Sequence, residues 1–400
     1  MKIRFLDLLI CLLFFTTPLE SIAVFDEFSI TKLVVVFIFI FSLKNLITKS
    51  LVDYKFFKLV SLYGIFAMLS VLWSIDEAIS FEAVFKTLLP TILLTFILLQ
   101  TIKNKTQLNN IFVSYILGSL FIAITTIYEY FNFYKFELYN YSRATAFEQD
   151  QNELSFLLSF GIVLILYFIQ FTQQSNRTRI LCVLCAILLF YAVLLSGSRT
   201  GFIIILLIAF VYLFTKLNFS KLFLVFPTLL IVGLYFFNLL NEAISARLLE
   251  TYSQIESGNL TGRTEIWEVG LNSFLKNGNI LLGIGHDAFQ EFHKGLTLNN
   301  YGLAVHNTYL GTFIELGVIG LVLYLNIILH LAKKILFLYK RISMFFVLFL
   351  IPILLSMFTL VLIQRRWLFL IGVIIIKLVE EYKKSEIQIF KKQKNKSNSI

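Results

Sequence analysis

The sequence is poor in charge, in cysteine and in histidine at metal-ligand spacing. Only 14% of its 400 residues are charged, against roughly 25% in an ordinary soluble domain. A soluble protein of this length would divide into two or three cores and present a large polar surface. With 58% hydrophobic residues and a mean hydropathy of +0.84, the chain cannot cover such cores. A soluble enzyme and a disordered chain are excluded. A nucleic-acid-binding protein is excluded as well, despite a net charge of +10. The three cysteines give no disulfide framework and no zinc site. Cys182 and Cys185 form a C-x-x-C inside an apolar run, where they share a helix face as small hydrophobes. Cys11 is alone in another such run. No internal repeat occurs at any period.

What the sequence does have is long apolar runs. A membrane span needs about 20 mostly apolar residues. Twelve runs meet this roughly: 5–24, 30–47, 57–73, 82–101, 109–131, 153–171, 180–196, 201–216, 221–240, 305–330, 342–362 and 366–381. They do not alternate apolar and polar residues as barrel strands would, so they are expected to be helices. The first run resembles a signal peptide, with Lys2 and Arg4 ahead of an apolar core. An uncleaved anchor is expected, because keeping it makes the charge pattern consistent. The fold class is therefore an all-α integral membrane protein of about twelve helices.

Lysine and arginine set the expected orientation. Basic residues fill every second loop: Lys44 and Lys49, Lys103 and Lys105, Arg177 and Arg179, Lys216 and Lys221, Lys333 and Lys334. Lys383, Lys384, Lys391, Lys392, Lys394 and Lys396 follow in the tail. These loops and both termini are expected in the cytoplasm. Residues 241–304 then form one large polar loop on the outer side, between helices nine and ten. Loops of this length are usually functional. Within it, Arg263–Leu275 reads as an amphipathic helix with Trp267, Leu271 and Phe274 on one face. Such a face suits a membrane surface. Gly283 and Gly285 mark a tight turn after it.

Arg143, Arg199, Arg263, Arg365 and Arg366 all fall on the outer side, against the prevailing charge rule. Arginine binds phosphate oxygens in bidentate fashion; its alternative is snorkelling to lipid headgroups. Several such residues on one side point to an anionic ligand. His306, where the large loop re-enters the membrane, is a candidate general base or an interface residue. His286 and His293 in the loop are expected to be solvent-exposed, and no metal is expected. Glu315 lies nine residues after His306. At about 100° per residue it faces away from His306, so a packing or interhelical role is expected. Gly317 and Gly320 are expected to allow a close helix crossing.

Four stretches carry a resemblance to the O-antigen ligase and O-antigen polymerase family. Ser196-Gly197-Ser198-Arg199-Thr200-Gly201 resembles the family's S-x-S-R-x-G helix entry. Gly262-Arg263-Thr264-Glu265-Ile266-Trp267 is similar to its G-R-x-x-x-W stretch. Leu282-Gly283-Ile284-Gly285 with Phe289 resembles its G-x-G turn. His306-Asn307-Thr308-Tyr309-Leu310, with Glu315, Gly317 and Gly320, resembles its H-N-x-Y-L…E-x-G-x-x-G segment. Arg143 with Asp150-Gln151-Asn152-Glu153 is similar to the family's R…D-P-N-E stretch, with Gln151 in place of proline. Helices one to four match in layout only. The expected organisation is helices one to seven in 1–195, a ligase-like core in 196–330 and two further helices in 331–381. A basic tail follows in 382–400.

The resemblance implies a glycan donor linked through pyrophosphate to undecaprenol, with no cofactor. It implies functional roles for Arg199, Arg263 and His306. Arg143, Arg365, Arg366 and Trp267 are expected to bind substrate. The chemistry fits these residue types: arginines stabilise the departing pyrophosphate, and a base such as His306 takes the acceptor proton. A one-step displacement would invert the anomeric carbon without a metal. The acceptor is a lipid A core for a ligase, or a glycan repeat unit for a polymerase. Membrane lipids are the remaining partners. A lipid-glycan flippase is the rival class, but transporters often show paired repeats and broken helices, and the sequence displays neither.

Overall fold

A computed structural model describes residues 4–20, 23–25, 28–46, 54–134, 146–147, 149–172, 174–217, 263–296, 302–338, 340–361 and 365–397, with Pro227 and Ile231. Arg143, almost all of the ninth apolar run, and the loop stretches 241–262 and 297–301 lie outside the described residues.

The described chain is helical apart from a short antiparallel pair of strands, Ala23–Phe25 and Phe28–Ser29. The helices are α1 (Phe5–Thr16), α2 (Ile30–Leu46), α3 (Tyr54–Leu69), α4 (Glu77–Ala83), α5 (Leu89–Thr101), α6 (Lys105–Glu129), α7 (Gln151–Phe171), α8 (Asn176–Leu195) and α9 (Arg199–Lys216). Then come α10 (Arg263–Asn277), α11 (Phe289–Leu296), α12 (Thr308–Leu336), α13 (Lys340–Phe346), α14 (Ile351–Ser356) and α15 (Arg366–Ser397). A π-helical turn over Val84–Leu88 joins α4 to α5.

Among the described residues, seven helical stretches are long and apolar enough to cross a membrane. They are Lys55–Trp73, Glu77–Thr101, Lys105–Asn132, Gln151–Phe171, Asn176–Leu195, Arg199–Lys216 and Thr308–Leu336. Shorter apolar helices cover Phe5–Leu19, Ile30–Leu43 and Ile342–Ser356. The described residues are thus those of a polytopic, predominantly helical membrane protein. The twelfth run opens α15, which continues unbroken through the basic tail to Ser397.

The bundle is built around α7. Within its apolar stretch 72% is buried, against 22% for α9. It packs on α6, α8, α9 and α14. Small residues let those helices approach: a Cβ on Gly201 of α9 would lie 2.4 Å from the Ser155 Cβ of α7. Aromatic side chains fill the rest. Phe156 stacks on Trp367 at 4.5 Å, and Phe160 meets Tyr115 and Phe349 edge-on. Such pairs add about 0.5–1.5 kcal/mol each beyond their burial. Cys182 and Cys185 pack against this core as free thiols, in keeping with their expected role as small hydrophobes.

Helix α12 departs from expectation. It is broken at Gly317, whose backbone takes φ 65° and ψ −168°. The loop 280–285 fills the break. Val318 and Ile319 donate backbone hydrogen bonds to the Ile280 and Leu281 carbonyls, and Ile284 and Gly285 donate to those of Ile314 and Glu315. Backbone groups released by a break must find new partners, and here the loop supplies them. The Gly317 Cα faces the Leu281 carbonyl, where a Cβ would lie 2.3 Å from the oxygen; a Cβ on Gly320 would meet only the Leu316 side chain. Gly317 therefore admits a loop, not a crossing helix, and Gly320 faces only its own helix. The expectation of unbroken helices is corrected as well.

Candidate active site

The site is assembled where α7, α9, α10 and α12 begin. His306 directly precedes the cap of α12. Asn307 is that cap: its Oδ1 accepts from the Leu310 N–H at 3.1 Å. Thr308 is clamped to the chain beyond α14. Its N–H donates to the Met357 carbonyl at 2.7 Å, and its hydroxyl donates to the Leu360 carbonyl at 2.6 Å. On the other flank, the Trp267 indole N–H donates to the Val305 carbonyl at 2.7 Å. Held on both sides, His306 adopts φ 45°, in the left-handed region that costs about 1–3 kcal/mol for most residues.

Two charges and an imidazole meet there. Arg263 opens α10 and is partly buried. Burial lowers its pKa and Asp150 opposes the shift. The His306 imidazole is also held below its ordinary 6.5, by burial first and the Arg263 charge second, with Asp150 pulling the other way. The imidazole is thereby kept neutral near pH 7, with its basic nitrogen available.

The first turn of α7 links this centre to the other cations. Asp150 caps the helix, accepting from the Asn152 and Glu153 N–H groups at 2.8 and 3.0 Å. Asn152 Oδ1 accepts from the Ser198 hydroxyl at 2.9 Å. Ser198 in turn caps α9 through the Gly201 N–H, so Arg199 starts a helix tied to the Asp150 turn. Glu153, 4% exposed, pairs through Oε2 with Arg365 Nη2 at 3.2 Å, while Arg365 is 47% exposed. Arg199, Arg263, His306 and Arg365 therefore all trace to Asp150-Gln151-Asn152-Glu153. That cluster is the feature sequence reasoning left as a motif alone. Its signal was a capping box, Asp150 with glutamate three residues on. The glutamate reaches an arginine of another segment instead of its own cap.

Arg366 is placed differently. It is 5% exposed and faces Glu20 at 3.5 Å, inside the protein. Trp267 holds Val305 through its indole nitrogen, a positioning contact. Arg143 lies outside the described residues.

Three expectations for the large loop are corrected. His286 and His293 are buried, not exposed: only 1% of His286 is accessible. The turn carrying His286 docks on the segment after α3. The Trp73 indole donates to the Leu282 carbonyl, Ile75 N–H to that of Ile284, and the His286 N–H to the Ser70 hydroxyl. Ser80 donates to the His286 carbonyl at 2.6 Å. His293 Nδ1 accepts from the Leu303 N–H. The apolar face of α10 is the third correction. Phe274 packs edge-on against Phe313 of α12, within a cluster of Ile284, Ala288, Phe289, Val305 and Ile314. The chain itself covers Phe274 fully and Trp267 in part, on the face expected at a membrane surface. Glu315 serves packing, as its helical phase indicated: its Oε1 accepts from the Phe289 N–H at the start of α11.

No curated protein matches the chain significantly. Residues 184–325, which run from α8 to α12 and hold Arg199, Arg263, Trp267 and His306, match the family model described as O-antigen ligase. That segment, about a third of the chain, is therefore similar to the O-antigen ligase family, in line with the resemblance carried by the Arg199, Arg263 and His306 stretches.

Proposed function

We propose that this protein is a membrane glycosyltransferase of cell-surface polysaccharide biosynthesis. It moves glycan from an undecaprenyl-pyrophosphate donor to an acceptor hydroxyl at the outer face of the bacterial cytoplasmic membrane. The observation that carries the reading is the approach of His306 and Arg263, both inside the segment that matches the O-antigen ligase family, to each other and to Asp150 at the start of α7. Both termini lie in the cytoplasm in this reading, as the alternating basic loops suggest.

His306 acts as general base. Its neutral imidazole takes the acceptor proton as the hydroxyl oxygen attacks the anomeric carbon. The bond from that carbon to the pyrophosphate oxygen breaks, and the electron pair leaves with the lipid pyrophosphate. Arg199, Arg263 and the exposed Arg365 stabilise the growing negative charge. Arginines here fill the electrophilic role that a metal fills elsewhere, and a single displacement inverts the anomeric centre. Arg366, buried on Glu20, acts in the fold.

Ligase and polymerase share this donor chemistry and differ in acceptor, a lipid A core or a further repeat unit. A gel of surface glycan from a deletion strain separates them. Loss of all attached chains with lipid-linked polymer outside identifies the ligase, and attached single repeats identify the polymerase. The break at Gly317 is a feature found in transporters. Here its backbone groups bond to the protein's own loop, which favours a structural role for the break over a substrate path. Lipid-linked glycan retained on the cytoplasmic side of the deletion strain would overturn the transferase reading.

A further inference from the structure

At the opposite end of the helices from His306, the beginning of α6 and the middle of α15 enclose two adjoining cavities of about 260 and 210 Å³. Both are bordered by Leu108, Glu381 and Lys384. Lys103, Lys105 and Lys377 complete the cationic lining, and Glu380 is the other acid. Four ammonium groups thus face two carboxylates.

The pairing leaves positive charge over. Lys377, 4% exposed, is matched by Glu380 at 3.1 Å, and Lys384 by Glu381 at 2.6 Å. Among the described residues, neither Lys103 nor Lys105 has a carboxylate within 4 Å. Both are exposed at the cavity margin. Apart from Asn104, the remaining lining is apolar or amphipathic: Ile102, Leu108, Leu378, Tyr167 and Tyr382. Lysines beside apolar groups, between the membrane-crossing α6 and the apolar first half of α15, suit a ligand with an anionic head and a hydrocarbon body.

We propose that this cleft binds a phosphate group, Lys103 and Lys105 supplying the unneutralised charge. The apolar floor favours the phosphate of an anionic phospholipid over a free anion. Each lysine is worth about fivefold in affinity for such a headgroup. The site is independent of the transfer chemistry at His306.

The test uses the full chain in phosphatidylcholine bilayers, with spin-labelled phosphatidylglycerol or phosphatidylcholine as the probe. The expected result is a larger motionally restricted fraction for phosphatidylglycerol. Lys103→Ala with Lys105→Ala should remove most of that preference, because neither side chain holds an ion pair that folding needs. Replacing Lys391, Lys392, Lys394 and Lys396 with alanine should keep it. Inorganic phosphate at matched ionic strength separates the sources. If it leaves the labelled lipid in place, the phosphate is the lipid's; if it displaces the label, the same site takes soluble phosphate. No preference in the parent protein, a preference kept by the double lysine variant, or one abolished by the tail variant overturns the proposal.

Discussion

The indole nitrogen of Trp267 donates a 2.7 Å hydrogen bond to the carbonyl of Val305, one residue before His306. A side chain of the large loop thereby fixes the backbone that presents the proposed base. Trp267→Phe keeps the ring and removes the donor. A carbonyl left unpaired costs about 1–3 kcal/mol, and Val305 is buried. Turnover should fall roughly tenfold with a smaller change in KM, measured with purified protein and lipid-linked donor. An equal rise in KM with unchanged turnover would mean that Trp267 binds substrate directly.

The rate should report the His306 proton. Burial and Arg263 lower the imidazole pKa from 6.5, and Asp150 opposes them. The rate should therefore rise with pH through a pKa below 6.5 and stay level above it. Arg263→Gln removes a positive charge and moves the acid limb to higher pH; Asp150→Asn moves it lower. Both variants should lose rate, so the diagnostic is the position of the limb. Limbs that do not move would remove the charge coupling from the account.

His286 should make the fold acid-sensitive. Burial pushes its pKa down to about 4, while an unfolded histidine titrates near 6.5. Between these values the unfolded chain binds the extra proton, so stability rises with pH across that window. Acidification from pH 6.5 to about 4 should cost on the order of 3 kcal/mol through this group. Melting temperatures in detergent should fall over that range, and less steeply in His286→Gln. Parallel curves for the two proteins would contradict the assignment.

Gly317 and Gly283 face each other's loops at positive φ. A Cβ on Gly317 would meet the Leu281 carbonyl at 2.3 Å, and one on Gly283 the Glu315 carbonyl at 2.3 Å. Gly317→Ala should destabilise by about 3 kcal/mol or more, from strain and backbone displacement together. Gly320→Ala meets the Leu316 Cβ of its own helix at 2.1 Å but carries no positive-φ strain, so it should cost less than Gly317→Ala. Thermal unfolding of the solubilised variants gives the comparison. A Gly317→Ala protein melting with the parent would mean that the helix break is dispensable.

The apolar runs announced most of the helices, because a span is a local property of twenty residues. The same holds for the caps: Asp150, Ser198 and Asn307 each precede a helix that they close. What joins those caps is not local. Asn152 meets Ser198 across 46 positions, and the His286 turn reaches Ser70 across 216. The periodicity of α10 showed its apolar face but not what covers it, and Phe313 and Val305 come from another segment. The break at Gly317 was hidden for a similar reason. Glycine marks permission for an unusual backbone, while the loop that exploits it lies more than thirty residues away. The burial of His286 and His293 follows from that docking, so polarity of the surrounding loop could not reveal it.

In the proposed reaction His306 activates the acceptor. The direct measurement is transfer from lipid-linked donor in a strain expressing His306→Ala at the parent level, with glycan on acceptor and on lipid carrier quantified separately. Acceptor-linked glycan should disappear and lipid-linked glycan should accumulate at the outer face. Mature glycan at the parental rate would contradict it.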